Sequence, residues 1–317
     1  MAQPTASDVH VDTPLSNIAT AYKNPEYIGD QIAPRVPVTK QSDKYYIWTK
    51  DFWFRMVVEP RTPGDTYPEG GIEVSSTTYH CDQYHLAYAI PDEVRENQDP
   101  AIQIEVTAAE WLADQFALHR EYKISAELFT TSVWGRDRTG TTHFVKWSDF
   151  ENSVPLEDVD TGLTYTQGQT GRDPNVFVVG REVFDKLKRH PNLLDIFKYT
   201  GRGILTQDMV AQALGVPKLL VGNAIYTASL EGASSMTYTR LWGKHGLLVY
   251  VPPAPGLRIP AAAYTFEWTG VGGAKIPVAV TRWRDDARDR LMVRGKYAFD
   301  DKAVGTDLGY FFSAAVA

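Results

Sequence analysis

One cysteine, Cys81, stands in 317 residues. No disulfide can therefore form within the chain, and a zinc ribbon or a Cys–Cys redox centre is excluded. No apolar run approaches the roughly 20 residues that span a bilayer. The opening MAQPTASDVHVDTP lacks the basic start and apolar core of a signal peptide. Its Pro, Ser, Thr and Ala read as a flexible or peripherally docked arm. Positive charge is not in surplus: 32 Lys and Arg stand against 39 Asp and Glu, a net charge of −7, which argues against a dedicated nucleic-acid binder. P-loop, G-x-S-x-G and H-E-x-x-H patterns are missing, and none of the seven histidines pair at i, i+4 on a predicted helix. His80 and His85 sit near Cys81 and Asp82. Strand alternation sends His80 and Asp82 to one face and Cys81 and His85 to the other, so four metal ligands do not converge. Asp92 with Glu93, and Asp285 with Asp286, lie among basic neighbours and read as ion pairs or caps rather than acid–base couples. The reading is a chain with no catalytic residue, no cofactor and no metal.

Composition is that of an ordinary globular protein, 43% hydrophobic and 22% charged, long enough for one large domain or two smaller ones. Aromatics are abundant, and their placement is informative. Two strand-like runs, 44–58 and 72–89, flank a tip at 59–71 rich in Pro and Gly. Gly and Pro break regular structure, and aromatic and β-branched flanks favour extended chain. The pattern predicts a long two-stranded arm. Such a ribbon is marginal in water by itself. This one carries Tyr45, Tyr46, Trp48, Phe52, Trp53 and Phe54 close together, so it needs a surface to lie on. A neighbouring copy is the expected surface, with Arg55 and Arg61 reaching carboxylates there through charge-assisted hydrogen bonds.

From residue 101 to 134 there is no Pro or Gly. The stretch predicts one helix of roughly 30 residues, about 45–50 Å long. Ile104, Ala108, Trp111, Gln115, Leu118, Tyr122, Ser125, Phe129 and Val133 follow one helix face. Trp111, Leu118, Tyr122 and Phe129 are expected in the core, and Trp111→Ala is expected to cost about 3–5 kcal/mol. Further on, NVFVVG (175–180) reads as a buried strand and REVFDKLKRHPNLLDIFK as a helix interrupted at Pro191. In TQDMVAQALG, Thr206 is the expected N-cap and Gly215 the stop. The Gly-rich link 198–206 contains Gly201, Arg202 and Gly203. It lacks the third Gly and the preceding strand of a dinucleotide fingerprint. Residues 236–251, 264–268, 277–283 and 288–299 read as strands. Residues 282–302 hold seven Lys or Arg and five Asp. This is a mixed face suited to ion pairs, or to a lining that touches DNA weakly.

The opening PLSNIATAYKNPEYIGDQIAPRVPVTKQSDKYYIW, the aromatic arm, IPDEVREN and the long helix ending in LFTTSVW together resemble the major capsid proteins of tailed bacteriophages. YAFDDKAVGTDLGYFFSAAV is similar to the family's closing strand. The resemblance runs from about residue 14 to 316 and is most specific over 15–53 and 90–134. It implies an α+β chain with the Hong Kong 97-type capsid fold. The implied division is an N-terminal arm (1–39), an extended β-arm or E-loop (40–97), the spine helix with the first part of a β-rich peripheral domain (98–153), an α/β axial domain (154–251) and the C-terminal peripheral strands (252–317). Gly201, Arg202 and Gly203 would then lie in an axial loop.

The implied function is self-assembly, as pentamers and hexamers, into an icosahedral head shell around double-stranded DNA. The implied setting is the virion, assembled in the host cytoplasm with a separate scaffolding protein and a portal. Contact with packaged DNA is expected to be weak and non-specific, and no membrane is involved. An encapsulin-like nanocompartment shell of the same fold is the alternative. From another class, an aromatic-rich carbohydrate-active enzyme is a third reading, one that needs the aromatics at the surface.

Overall fold

The computed structural model describes the chain from Asn24 to Ala317, apart from residues 25, 49, 65, 68, 98–103, 199–204, 231, 234, 257–258 and 273–278. After α1 (Gly29–Ile32) and β1 (Arg35–Val38), the chain leaves the body as β2 (Ser42–Trp48), makes a short helix α2 (Lys50–Phe54) and returns as β3 (Val74–His80). β2 and β3 pair antiparallel from Ser42↔His80 to Trp48↔Val74. At Cys81 the chain changes partners, and β4 (Asp82–Pro91) pairs along its whole length with a C-terminal strand. The arm is therefore shorter in its ladder than the expected runs over 44–58 and 72–89. Phe52, Trp53 and Phe54 are helical, not extended. Continuing the register past Trp48↔Val74 would oppose Asp51 to Gly71 and Phe52 to Gly70. Glycines have no side chain to pack and weaken a strand. Aromatic strand preference depends on a cross-strand partner.

Short helix α3 (Asp92–Glu96) precedes the long helix α4 (Ile104–Leu128), whose described length is 25 residues. It stops before Trp134 because the run Thr130, Thr131, Ser132 is poor helix material and Ser132 takes a left-handed backbone, φ 67°. The Trp134 indole then donates to the Leu128 carbonyl at 2.7 Å, satisfying a free helix-end acceptor.

The expected core face of α4 requires correction. The buried positions are Ala108, Leu112, Phe116, Arg120, Glu121, Ile124, Ser125 and Leu128. Trp111 and Tyr122 are each 41% exposed. Trp111 meets Tyr88 edge-on at 5.7 Å and Tyr122 meets Tyr226 at 5.3 Å. Leu118 is half-buried. Phe129, just past the helix, is buried against Trp242 and Phe311. Apolar spacing does not find this face, because Arg120 and Glu121 are buried on it by polar partners from elsewhere in the chain. Leu112→Ala is accordingly expected to cost about 2–5 kcal/mol, and Trp111→Ala only about 1 kcal/mol, in urea titrations of the full chain. Equal losses would contradict this placement.

Next come β5 (Arg136–Thr139), α5 (Pro155–Thr170), β6 (Val176–Gly180), α6 (Arg181–Leu187), α7 (Pro191–Phe197), α8 (Gln207–Ala213), β7 (Lys218–Gly222), β8 (Ile225–Thr227), β9 (Tyr238–Arg240) and β10 (Gly246–Val249). Pro191 divides α6 from α7, since proline is tolerated at a helix start but not in its interior. Thr206 holds the N-cap position of α8 with extended backbone, although its hydroxyl makes no capping bond. Gly215 follows with φ 67°. The chain ends through β11 (Ala263–Trp268), a short helix α9 (Thr269–Gly272), β12 (Ala279–Asp285), β13 (Arg290–Ala303), a 3-10 turn at Thr306–Leu308 and β14 (Gly309–Ser313).

Two five-stranded sheets result. One has the order β1-β11-β13-β12, with β4 on β13. The other has the order β5-β14-β10-β6-β7, so strands from 136–139 and 309–313 join those between 176 and 249. In this second sheet β14, β10 and β6 are buried throughout, as their continuous apolar runs require, whereas the edge strand β5 is exposed to half-buried. Tyr310 and Phe312 enter a core shared with Trp147, Phe177 and the helices α5 to α8. Phe311 points the other way, into a core with Ile28, Ile124, Leu128 and Trp242. The strand alternation of GYFFS thus joins two cores.

Candidate assembly interface

The arm grips its own subunit chiefly at its base. Tyr79 stacks on Phe266 at 4.7 Å and Tyr45 tilts against the same ring at 5.2 Å. Beneath them Cys81 is fully buried, its thiol donating to the Phe266 carbonyl at 3.4 Å. Burial pushes that thiol up to about 12, so it is an inert core group. Gln41 brackets Cys81, accepting the Cys81 N–H at 2.8 Å and donating from its amide to the Cys81 carbonyl at 3.0 Å. These bonds fix the point where the ribbon leaves the sheet. Beyond the ribbon, Lys50 pairs with Asp307 at 2.7 Å, and the Phe54 ring lies beside Gly171.

Past this point the arm lacks cover. Met56 is 97% exposed and Val58 93%. Tyr46, Trp53, Phe54, Tyr67, Ile72 and Val74 are exposed as well. Tyr45 and Phe52 are half-buried, and the Trp48 side chain lies outside the described residues. Arg55 is exposed. The Arg61 guanidinium lies over the Tyr67 ring at 4.2 Å, within its own arm. The expected axial-loop residues Gly201, Arg202 and Gly203 lie outside the described residues. Among the described residues, no three His, Cys, Asp or Glu side chains converge as metal ligands, and no helix is long and apolar enough to cross a membrane.

A second feature escaped the sequence reading: a buried polar seam between α4 and the segment entering the body. Glu121 accepts the backbone N–H groups of Ile28 at 3.0 Å and Gly29 at 2.8 Å, and the Trp242 indole at 2.8 Å. A Cβ on Gly29 would meet Ile124 Cδ1 at 2.6 Å and Glu121 Oε2 at 2.8 Å, so glycine permits the close approach. Arg120 reaches Asp30 at 2.6 Å, and Asp30 also takes two bonds from Arg35, at 3.2 and 2.7 Å. Tyr27 donates to Asp114 at 3.1 Å. Asn24 both donates to and accepts from the Ile225 backbone at 3.1 Å. The only local hint was a pair of opposite charges, Arg120 and Glu121, side by side in a helix with an apolar stripe.

Asp301 completes the seam. Its carboxylate accepts the Thr265 hydroxyl, while its Oδ2 is buried without a partner. Burial pushes this carboxyl up to about 7, against the pull of Thr265 and Arg120. The folded chain therefore takes up this proton as pH falls through about 7, and the unfolded chain only near 3.8. The contribution to stability is complete below 3.8 and is lost as pH rises through about 7. Asp301→Asn is expected to remove this slope. The variant's unfolding free energy relative to the native chain should rise between about pH 5 and pH 8. A difference that stays flat over that range would show that Asp301 does not titrate there.

No protein-family model matches the chain. At 28% identity over 310 residues, covering 96% of both chains, it is similar to the major capsid protein of Burkholderia phage BcepMu. Its fold matches a phage-related protein from Bordetella bronchiseptica RB50 with a TM-score of 0.70 and 23% identity, over 96% of this chain and 97% of that one. The capsid of cyanophage P-SCSP1u matches with a TM-score of 0.65 and 11% identity, over 100% and 96%. The encapsulin of Synechococcus elongatus lies further off, at a TM-score of 0.51 and 11% identity over 96% and 95%.

Proposed function

We propose that this chain, which belongs to the major capsid proteins of tailed phages, builds the icosahedral head shell through its arm. The observation that carries this reading is the arm itself. Apolar side chains from Trp53 to Val74, Met56 and Val58 above all, are left exposed by the described residues of their own subunit. Apolar surface of this kind is stabilised by removal from water. Laid over an adjacent copy, the arms link subunits into a closed lattice in which many modest contacts act together. The spine helix α4 serves as the frame, and the sheet with α5 to α8 as the centre of pentamers and hexamers.

The net charge of −7 supports a container that touches its genome weakly, since a strongly basic lining would bind the DNA it must release. A separate scaffolding protein, a portal and assembly in the host cytoplasm belong to the same proposal and rest on family membership. The nanocompartment alternative is less favoured, because the phage proteins match this chain more closely in fold than the encapsulin does. The carbohydrate-active reading finds no support among the relatives, which are major capsid proteins. Electron microscopy of the purified full chain, with size-exclusion mass, tests the proposal. Closed particles of megadalton mass are expected, against a 35.5 kDa monomer; a monodisperse monomer at high concentration would overturn it.

A further inference from the structure

The described residues attach the arm to its own subunit at two places. The first is the base, where Gln41 brackets Cys81 and where Tyr45 and Tyr79 lie against Phe266. The second lies past the far end of the ribbon. There the Lys50 ammonium, at the start of α2, reaches the Asp307 carboxylate at 2.7 Å and the Gln169 side-chain carbonyl at 3.5 Å. At the end of α2 the Phe54 ring lies beside Gly171, the left-handed cap of α5 with φ 66°. The receiving side is held firmly. Asp307 belongs to the 3-10 turn between β13 and β14, where the chain passes from one five-stranded sheet to the other. Three backbone bonds from separate segments fix this turn. Gly305 donates to the Ala262 carbonyl at 3.1 Å, Gly135 to Thr306 at 2.9 Å and Tyr250 to Leu308 at 3.1 Å. The Leu308 side chain is buried beneath. A Cβ on Gly135 would stand 2.8 Å from Asp307 Oδ1, so glycine leaves the carboxylate its place.

One attachment fixes where a ribbon starts; a second fixes where it points. A two-stranded ribbon is marginal by itself in water, and one held at its base alone is free to swing. We infer that Lys50 and Asp307 are positioning residues for assembly, whose pairing inside one subunit sets the direction in which the arm is presented to the next copy. This inference rests on the shell reading and adds to it a contact within the subunit. Both side chains are partly exposed, and an exposed ion pair shifts a two-state population by only about 1.5–5-fold. A shift of that size matters here because every subunit of a shell contributes an arm. The apparent affinity of a contact falls with the fraction of molecules in the competent arrangement. The free-subunit concentration needed for closed particles therefore rises by about the same factor when the pair is lost. The pair acts by preorganisation, since the arm is ordered before two copies meet.

Lys50→Met in the full chain tests it with two readouts. One is the threshold concentration for closed particles, followed by light scattering and electron microscopy. The other is the distance between spin labels at Asp51→Cys on α2 and Asp160→Cys on α5, both exposed positions, read by pulsed dipolar spectroscopy below that threshold. Cys81 is fully buried and stays unlabelled. The native chain should give one narrow distance distribution. Lys50→Met should broaden it and raise the threshold about threefold, with melting unchanged. Lys50→Arg should keep both readouts native, and Lys50→Asp with Asp307→Lys should restore them. Salt at about 1 M should broaden the native distribution and leave that of Lys50→Met as it is, because an exposed pair is screened. Because Lys50 lies outside the turn, its variants carry the test even where a change at Asp307 lowers the melting temperature. A narrow distribution and a native threshold in Lys50→Met would overturn the inference. A raised threshold with the distribution still narrow would overturn it too, and would make Lys50 a contact to another copy. A broadened distribution with a native threshold would show that arm direction does not limit assembly. A native chain that forms no particle at any concentration would refute the shell reading instead, while the label distance still reports whether Lys50 holds the arm.

Discussion

Deletion of residues 59–71 is expected to leave a folded chain that forms no closed particle. The residues removed contribute almost nothing to either core: Met56 and Val58 beside them are nearly fully exposed, and Tyr67 within them is 75% exposed. The ribbon's grip on the subunit lies elsewhere, in Tyr45, Tyr79, Cys81 and Phe266. The helical circular-dichroism signal and the melting transition should therefore stay close to those of the native chain. Assembly should fail because the tip's apolar side chains are left exposed by the described residues of their own subunit. A lattice joined by many weak contacts loses its closure when one class of contact is removed from every subunit at once. Electron micrographs and size-exclusion mass read the outcome. Normal shells from the deleted chain would refute the arm as an assembly element, whereas an insoluble chain would show that the tip also supports folding.

Glu121→Ala is expected to be among the most destabilising single changes in the chain, at about 3–6 kcal/mol. The side chain satisfies three buried donors, the Ile28 and Gly29 amides and the Trp242 indole. Each donor left unpaired in the interior costs about 1–3 kcal/mol. Burial raises the Glu121 carboxyl, and these three donors hold it back; the charge is tolerated because the donors surround it. Glu121→Gln keeps one acceptor oxygen and should recover part of the loss. Urea titration of the full chain followed by tryptophan emission measures both, and Trp242 should shift to the red as its indole is released to water. A loss below about 1 kcal/mol for the alanine variant would mean that the seam is replaced by water without cost.

The same seam shows why sequence reading stopped where it did. The long helix was legible from a stretch free of Pro and Gly, and its apolar content from spacing. The orientation of the stripe was not legible. Ile28, Gly29 and Trp242 are 92 or more residues from Glu121 in the chain, and nothing near residue 121 announces them. A charged pair in a helix is ordinarily solvated, so nothing in the local pattern marks Arg120 and Glu121 as part of the buried face. In the arm, Tyr46, Trp53 and Phe54 of the aromatic run are exposed, whereas Tyr45 and Phe52 are half-buried. The run could not announce the helix α2, because strand preference is realised only where a partner strand supplies packing.

By itself the sequence determined the class of the protein and the local elements: one cysteine and no disulfide, a Pro- and Gly-rich tip between aromatic flanks, one long helix, and a buried strand at 175–180. These are properties of neighbouring residues, set by backbone preference and by the periods of strand and helix. Tertiary structure alone decided which charges are buried and where β3 hands over to β4. Burial and pairing depend on residues brought together across the whole chain. The cost of leaving a donor, an acceptor or an apolar surface without cover is met only after folding.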